Sequence, residues 1–274
     1  MIIDSHVHIG NIMNFNMPEE MVLKSMEKYN IDYSLVSNAE ASEVDGNQEL
    51  IPIESQHSQI ETCEKILRFA KNNPKKIGAL LWVKPRLEGC TEEFKNLVKE
   101  NREWVLGIKI HPYHSKMRFD SLQVQEYIKL AEEYNLPILT HTANDECSNP
   151  KLVYEMAKKY KKVNFIMGHM GLGTDNERAI EYIEKLPNLY GDTAWVEPEH
   201  AIKMIKRCGS EKLLFGTDNP IDGVDTYNHP TICSVYLSEK FKNSLTKEEY
   251  ENVMYKNAIR LFNLSWTFLL EGVG

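Results

Sequence analysis

Five residues spread along the chain have the chemistry needed to hold a metal ion: His6, His8, His141, His169 and Asp218. Neutral imidazole nitrogens and carboxylate oxygens are the ligands that zinc and similar divalent ions take in proteins. His6 and His8 alone decide little, because a single His-x-His pair is common. As a set with the three later residues, the pair predicts a metal site.

The elements that would position these residues alternate between strand and helix from end to end. Helical patterns fall at 18–29, 58–72, 121–134, 150–160, 175–186 and 198–208. Eight strand–helix units in about 250 residues predict an α/β protein with a (β/α)8 TIM barrel, in a single domain over residues 1–274. An open doubly wound sheet is the runner-up, but no G-x-G-x-x-G turn follows the first strand. The strands are predicted at 1–9, 32–38, 77–84, 105–111, 136–142, 163–169, 189–196 and 213–218.

All nine histidines lie at or beyond the C-terminal ends of these strands. In a parallel barrel those ends form one face, where active sites are built. His6 and His8 point to the same side of the first strand, and Lys109 and His111 repeat that spacing on the fourth. Paired polar residues inside a barrel are costly without a partner, and a metal ion is a natural one. The other histidines are His57, His114, His141, His169, His200 and His229.

The composition excludes several classes of protein. A formal charge of −8 over 274 residues argues against a nucleic-acid binder, which needs a basic face. No apolar run approaches the ~18 residues of a membrane span. The N-terminus lacks the pattern of a signal peptide, so we expect a cytoplasmic protein. The five cysteines are scattered without a CxxC motif and predict no disulfide or metal framework.

Several local signals add detail to this prediction. Segment 39–57 shows no periodicity and follows the second strand, so it would overhang the mouth of the barrel. Asp120 is the predicted N-cap of helix 121–134, and Pro18 is predicted to occupy the first position of helix 18–29. Segment 246–263 predicts an extra C-terminal helix or helix pair with Thr246 as its N-cap.

The sequence resembles the amidohydrolase superfamily, specifically its amidohydrolase-related branch of metal-dependent TIM-barrel hydrolases. The stretches that carry the resemblance are IDSHVHIG, GIKIHP, ILTHT, FIMGHMG, LLFGTDNP and the C-terminal YKNAIRLF. They cover essentially the whole chain. Their order and spacing are specific for the superfamily and poor guides to the substrate.

The resemblance implies a metal centre with assigned roles. A catalytic divalent metal, expected to be zinc, would be bound by His6, His8, His141 and Asp218. Asp218 would also take the proton from metal-bound water. His169 would lie beside that water, where it would polarise the substrate or assist proton transfer.

The fourth strand leaves the number of metals open. The resemblance places Lys109 and His111 opposite the metal, and with Arg118 they make a small anionic substrate reasonable. Two-metal members of the superfamily use a carbamylated lysine from this strand as a bridge. Since Lys109, His141 and His169 are all present, a second ion is possible. We favour one metal per chain.

The predicted reaction is hydrolysis of a small carboxylate-bearing amide, lactone or ester. Metal-activated water would attack the carbonyl, with Asp218 as general base. The alternative is a metal-dependent, non-oxidative decarboxylase of an aromatic or unsaturated acid, as in some relatives of this branch. A non-enzymatic binding protein is a third possibility, against which the complete ligand set counts. We expect a small-molecule substrate, no nucleic-acid or membrane partner, and a homodimer.

Overall fold

One curled sheet forms the centre of the protein, seen in a computed structural model that describes residues 1–12, 14–221, 226–228 and 233–265. Its strands are β1 (Ile3–Ile12), β2 (Phe15–Met17), β3 (Tyr33–Asn38), β4 (Ile77–Trp82), β5 (Val105–Ile110), β6 (Ile138–Ala143), β7 (Phe165–Leu172), β8 (Leu189–Asp192) and β9 (Leu213–Leu214). They lie in the order β2-β1-β3-β4-β5-β6-β7-β8-β9. Only β2 pairs in the antiparallel direction among these described strands.

All eight predicted strands are present in the predicted order, which confirms the α/β class and the parallel sheet. The first strand continues to Ile12 and pairs with β2, a short strand that the sequence did not predict. The last two are shorter than predicted and end at Asp192 and Leu214. The backbone beyond those two strands forms the loops that carry the later site residues.

Backbone hydrogen bonds join β1 to the segment that follows β9. The Ser5 N–H donates to the Phe215 carbonyl at 2.9 Å, and the Asp218 N–H donates to the His6 carbonyl at 2.7 Å. The His8 N–H then donates to the Asn219 carbonyl at 2.9 Å. These bonds hold Asp218 beside the two histidines of β1, although more than two hundred residues separate them in the chain.

On one side of the sheet, the strands carry apolar side chains at one end and polar side chains at the other. At the apolar end, one buried cluster contains Ile3, Leu35, Leu80, Leu139, Ile166 and Leu214, together with Ala258, Ile259, Leu261 and Phe262 from the C-terminal helix. Two positions further along β4 and β6, on the same side of the strand, lie Trp82 and His141. The apolar cluster therefore supports the end of the sheet on which the polar site is built.

The helices follow the strands as predicted, with further short ones. They are α1 (Glu19–Tyr29), α2 (Gln59–Asn72), α3 (Glu92–Glu100), α4 (Pro112–Ser115), α5 (Leu122–Tyr134), α6 (Pro150–Lys159), α7 (Glu177–Lys185), α8 (Pro198–Cys208), α9 (Cys233–Tyr236), α10 (Glu239–Asn243), α11 (Lys247–Glu251) and α12 (Asn257–Leu261). A π-helical turn, Asn252–Lys256, joins the last two. The extra C-terminal helix is thus present, and Thr246 caps it by accepting from the Glu249 N–H.

Two predicted helix starts are wrong by one residue. Helix α5 is capped by Ser121, whose hydroxyl accepts from the Val124 N–H, and Asp120 instead accepts hydrogen bonds from Arg118. Pro18 is the N-cap of α1 and not its first helical residue. Asp120 precedes the actual N-cap by one residue, and Pro18 precedes the first helical residue by one. A difference of one residue is within the ordinary uncertainty of a helix boundary.

Segment 39–57 is an ordered loop at the site end of the sheet. It contains 3-10 turns at Ala39–Ala41 and Ile53–Ser55, and Val44 bridges to Leu50. The Glu43 N–H donates to the His114 carbonyl at 3.2 Å, which fixes the loop to α4. No helix in the described ranges combines the length and apolar character needed to span a membrane.

Candidate metal and active site

His6 lies on β1 with both ring nitrogens hydrogen-bonded. Its Nδ1 is 2.7 Å from Oδ2 of Asp192, at the end of β8, and its Nε2 accepts from Nζ of Lys109 at 2.6 Å. Although burial acts to raise it, the pKa of Asp192 is held below its ordinary value by His6. The carboxylate can therefore only accept, so Nδ1 of His6 carries the proton and Nε2 presents a lone pair. Burial and then Lys109 lower the pKa of His6 to about 3, which keeps the ring neutral.

The Asp218 carboxylate contacts three side chains. Its Oδ1 lies 2.8 Å from Nε2 of His8 and 3.2 Å from Nε2 of His6. Its Oδ2 accepts from the indole N–H of Trp195 at 2.9 Å. Burial opposes ionisation, but His6 and His8 hold the pKa of Asp218 well below its ordinary value. The side chain is therefore a carboxylate at the centre of the histidine cluster.

His169, on β7, completes a group with the donor chemistry of a metal site. Its Nδ1 donates to the Ala194 carbonyl at 3.0 Å, so Nε2 carries the lone pair. The His169 backbone N–H donates to Oδ1 of Asp192 at 2.8 Å. Candidate ligand atoms of His6, His169 and Asp218 all lie within 4.8 Å of one another. Two imidazole nitrogens and a carboxylate at this spacing fit a divalent metal.

The backbone is strained where it carries these groups. His169 and Met170 have φ values of 68° and 48°, and Asp218 has a φ of 64°. Such left-handed conformations cost non-glycine residues about 1–3 kcal/mol each and persist only when the surroundings enforce them. Here the Asn176 amide donates to the carbonyls of His169 and Met170, both at 3.0 Å. The structure therefore holds the site residues in a geometry that the local chain does not favour.

Lys109 is fully buried on β5, beneath the cluster. Burial lowers its pKa to about 8, against the opposing effects of Asp218 and Asp192. Its ammonium donates to the same His6 lone pair that a metal would use, and it also lies 5.7 Å from the Trp82 ring centroid. A metal bound to Nε2 of His6 would require this amine to move.

Three further histidines, His111, His114 and His141, form a stack of parallel rings. The His111 ring lies 4.1 Å from that of His141 and 3.7 Å from that of His114, with interplanar angles of 12° and 6°. The His141 ring in turn meets His169 edge to face at 4.9 Å. Burial is the main cause that holds the pKa values of His111 and His141 well below the ordinary range. The stack is therefore made of neutral rings.

A cavity of about 760 Å³ opens over the cluster. It reaches the candidate metal site through His8, His169 and Asp218, and the loop 39–57 contributes Gln48 to its wall. Its other aromatic residues are Phe15, Trp82, Tyr113 and Trp195. The predicted position of this loop over the mouth is borne out by the place of Gln48.

The structure brings most of the predicted site residues together. His6 and His8 both contact Asp218, and Lys109 contacts His6, whereas His141 belongs to the ring stack beside them. His57 is exposed, and His200 hydrogen-bonds to Asn176 at 2.8 Å. His229 lies outside the described residues.

The predicted positive charge at the mouth is not found as expected. His111 is neutral at neutral pH because its pKa is so strongly lowered by burial. The exposed Arg118 forms an ion pair with Asp120 at 2.8 Å. Of the three groups that suggested an anionic substrate, only Lys109 remains a cation of the site.

Sequence reasoning missed two residues that organise the cluster. Asp192 contacts both His6 and His169, and Trp195 hydrogen-bonds to Asp218. The signal available in the sequence was the polar end of LYGDTAWV, where a carboxylate closes an apolar strand. Without the pairing of β8 between β7 and β9, nothing in that stretch indicated which residues the carboxylate would meet.

Comparison with known proteins gives one family and a consistent fold. A family model described as amidohydrolase matches residues 3–264. No curated protein sequence gives a significant match. The solved structure of 2,6-dihydroxybenzoate decarboxylase with 2,6-dihydroxybenzoate has a TM-score of 0.69 at 16% identity, over 96% of this chain and 99% of that chain.

Two further solved structures have the same fold at low identity. The manganese-bound 5-carboxyvanillate decarboxylase of Novosphingobium aromaticivorans, a D314N mutant, has a TM-score of 0.74 at 12% identity, over 96% of this chain and 97% of that one. A probable 2-pyrone-4,6-dicarboxylic acid hydrolase of Acinetobacter baumannii, with citric acid bound, has a TM-score of 0.65 at 12% identity, over 96% and 99%. At these identities the likeness establishes the fold alone.

The buried histidines predict a specific dependence of stability on pH. Burial lowers the pKa of His114 to about 3, from an ordinary value of 6.5. Between these values the unfolded chain binds a proton that the folded chain does not. Proton uptake by the unfolded chain at this residue therefore lowers the free energy of unfolding as pH falls from 6.5 towards 3. In metal-free protein, the unfolding free energy of His114→Phe should fall less steeply with decreasing pH than that of the wild type. The two slopes should differ by at most about 1.4 kcal/mol per pH unit. Urea titrations at a series of pH values measure the slope, and parallel curves for the two proteins would refute the prediction.

Proposed function

The chain belongs to the amidohydrolase superfamily, and from that premise we propose that it is a metal-dependent decarboxylase of a small aromatic or unsaturated carboxylic acid. The observation that carries the proposal is a metal-type cluster that borders a cavity with aromatic walls. Two decarboxylases of aromatic acids, for 2,6-dihydroxybenzoate and 5-carboxyvanillate, share the fold and support it. We further propose that the sheet closes into a (β/α)8 barrel through the hydrogen bonds between β1 and residues 215–219.

The donor set fits one divalent ion. We propose His6, His8 and Asp218 as ligands, with His141 or His169 as a fourth. The Nε2 atoms of His6 and His169 already carry lone pairs, because each Nδ1 donates to a fixed oxygen. His8 would have to change tautomer, donating from Nδ1 to the Ser37 hydroxyl 2.9 Å away and freeing Nε2. Manganese occupies the 5-carboxyvanillate decarboxylase, so zinc and manganese are both candidates.

We propose one ion per chain. A bridging role would require the Lys109 amine to become a carbamate, whereas the unmodified amine is able to donate to Nε2 of His6. We propose that it stays an amine and that, with metal bound, it lies near the carboxylate of the substrate. His111 is then a neutral donor beside it, because its Nδ1 accepts from the His114 N–H at 3.2 Å and the proton must be on Nε2.

The proposed reaction breaks one carbon–carbon bond and forms one carbon–hydrogen bond. When bound, the metal would act as a Lewis acid that orients and polarises the substrate. The bond to the carboxylate breaks, carbon dioxide leaves, and the electron pair remains on the substrate carbon. Asp218 takes a proton from the substrate or from water and delivers it to that carbon, with His169 as the other candidate donor.

Hydrolysis of an amide, lactone or ester is the second candidate. It is favoured by the ionised state of Asp218, which suits a general base. The 2-pyrone-4,6-dicarboxylic acid hydrolase with the same fold supports it. The two reactions use the same residues but differ in where the proton goes, to carbon in one and to a leaving oxygen or nitrogen in the other.

An assay of carbon dioxide release separates the two. We expect metal-loaded protein to release carbon dioxide from hydroxybenzoates and to leave lactone, ester and amide panels unchanged. Asp218→Asn keeps the side-chain shape but removes the proton carrier and a charged ligand, so the rate should fall by a factor of at least about 10². Asp120→Asn, which changes a half-buried aspartate that pairs with Arg118 and does not line the cavity, is the control. Turnover of a lactone without carbon dioxide release would overturn the decarboxylase proposal in favour of the hydrolase.

Metal analysis of two variants identifies the fourth ligand. The spacing of His169 to His6 and Asp218 predicts that His169→Ala lowers metal affinity by at least about 10- to 100-fold, the loss that is usual when even an outer partner of a metal ligand is removed. His141→Ala, which removes a ring of the stack, should retain the ion if His169 is the ligand. Elemental analysis should give a ratio near one ion per wild-type chain. A ratio near two, with the mass of a carbamate on Lys109, would contradict the one-metal proposal.

A further inference from the structure

The indole N–H of Trp195 gives the two oxygens of the Asp218 carboxylate different environments. It donates to Oδ2 at 2.9 Å. The other oxygen, Oδ1, lies 2.8 Å from Nε2 of His8 and 3.2 Å from Nε2 of His6. Because an indole N–H can only donate, Oδ2 is held as an acceptor while Oδ1 is the oxygen that meets the imidazole nitrogens. Nothing in the proposed reaction uses this hydrogen bond.

Trp195 belongs to a short segment that contacts every member of the candidate metal cluster. The segment 192–195 begins with the carboxylate that binds the His6 ring. The backbone carbonyl of its third residue accepts from Nδ1 of His169 at 3.0 Å, and its last residue, Trp195, binds Asp218. The first two contacts each set the tautomer of a histidine, and the third acts on the carboxylate.

The backbone holds Trp195 in a conformation that bulky residues avoid. Its φ is 56°, in the left-handed region, which persists in non-glycine residues only where the surroundings enforce it. On one side, the Thr193 hydroxyl donates to the Gly216 carbonyl at 2.8 Å and accepts from the Gly216 N–H at 3.0 Å. On the other side, the Val196 carbonyl accepts from the hydroxyl of the buried Tyr236 at 2.8 Å. The indole is therefore presented from a fixed stretch of backbone.

We propose that Trp195 is a positioning residue, which holds Oδ2 of Asp218 so that the carboxylate offers Oδ1 to a metal bound by His6. The inference rests on the metal-binding part of the proposed function and not on the choice between decarboxylation and hydrolysis. A carboxylate that is free to rotate loses that freedom when it binds an ion, and the indole N–H fixes it beforehand. The same hydrogen bond satisfies an oxygen whose burial would otherwise be costly.

Two substitutions of Trp195 separate the hydrogen bond from the packing of the ring. Trp195→Phe keeps an aromatic ring and removes the N–H. Trp195→Gln removes the ring and keeps an N–H, because its side-chain nitrogen is the same number of bonds from Cα as the indole nitrogen. Zinc affinity, measured by competition with a chelator, should fall by about 10- to 100-fold in Trp195→Phe, as when an outer partner of a metal ligand is lost. Trp195→Gln should retain more of the affinity than Trp195→Phe.

Trp104→Phe is the matched control for these substitutions. The indole N–H of Trp104 also donates to a carboxylate at 2.9 Å, that of Glu103, but Trp104 does not line the cavity over the cluster. Loss of this hydrogen bond should leave the zinc affinity at the wild-type value.

A spectroscopic measurement on the metal-free protein tests the hydrogen bond itself. The chain has four tryptophans, so the indole resonance that disappears from a proton–nitrogen correlation spectrum in Trp195→Phe belongs to Trp195. Hydrogen bonds to an ionised acceptor are shorter and stronger than neutral ones. The Trp195 indole proton should therefore move upfield in Asp218→Asn, which removes the charge, whereas the Trp104 indole proton should not move.

Failure of this inference is distinct from failure of the proposed function. Wild-type zinc affinity in Trp195→Phe, an affinity of Trp195→Gln no higher than that of Trp195→Phe, or an unmoved Trp195 resonance would each overturn the inference while zinc binding by the wild type leaves the proposed function standing. Loss of affinity in Trp195→Phe with retention in Trp195→Gln would support the inference even if the wild type hydrolyses a lactone, a result that overturns only the decarboxylase proposal. A wild-type protein that binds no zinc would overturn both.

Discussion

The carboxylate of Asp192 is the interaction on which the candidate site depends, because one side chain fixes two of its histidines. Its Oδ2 pairs with the His6 imidazole, and its Oδ1 accepts from the backbone of His169. The first contact sets the tautomer of His6 so that its Nε2 faces the cluster. The second helps to hold β7 in the left-handed turn that presents the His169 ring. A fully buried carboxylate is tolerable only with such donors around it, so fold and site stabilise each other.

The rest of the molecule compensates for the free-energy cost of burying polar groups at this end of the sheet. The apolar cluster closed by the C-terminal helix supplies burial at the other end, while burial lowers the pKa values of His6, His111 and His141 and keeps these three rings neutral. Neutral imidazoles with fixed tautomers are the form in which histidine binds metals. Lys109 is the exception, a buried cation whose hydrogen bond to His6 would be exchanged for a metal. Strain at His169 and Asp218 is the cost of bringing ligands from different strands to one point.

Much of this arrangement was predictable from the sequence, and the misses have physical causes. Strand–helix alternation gave the eight parallel strands, and histidines at strand ends indicated the polar face. Asp192 and Trp195 were not predicted, because their roles depend on which strands are neighbours, and local patterns do not encode that. Charge was misjudged at His111, since only burial reveals that its ring is neutral. The N-cap of α5 is Ser121 and not the adjacent Asp120, because both side chains can accept the same hydrogen bond from the backbone. The cytoplasmic location and the homodimeric state stay predictions.

The most direct test of the metal site is a crystal structure of zinc-soaked protein with anomalous diffraction data. We expect a single anomalous peak per chain at about 2.0–2.2 Å from Nε2 of His6 and from the Asp218 carboxylate. Nζ of Lys109 should then have left Nε2 of His6, while Asp192 keeps its contact with Nδ1. A cluster without a peak, in which Lys109 still donates to His6, would contradict the account of this site as a metal centre.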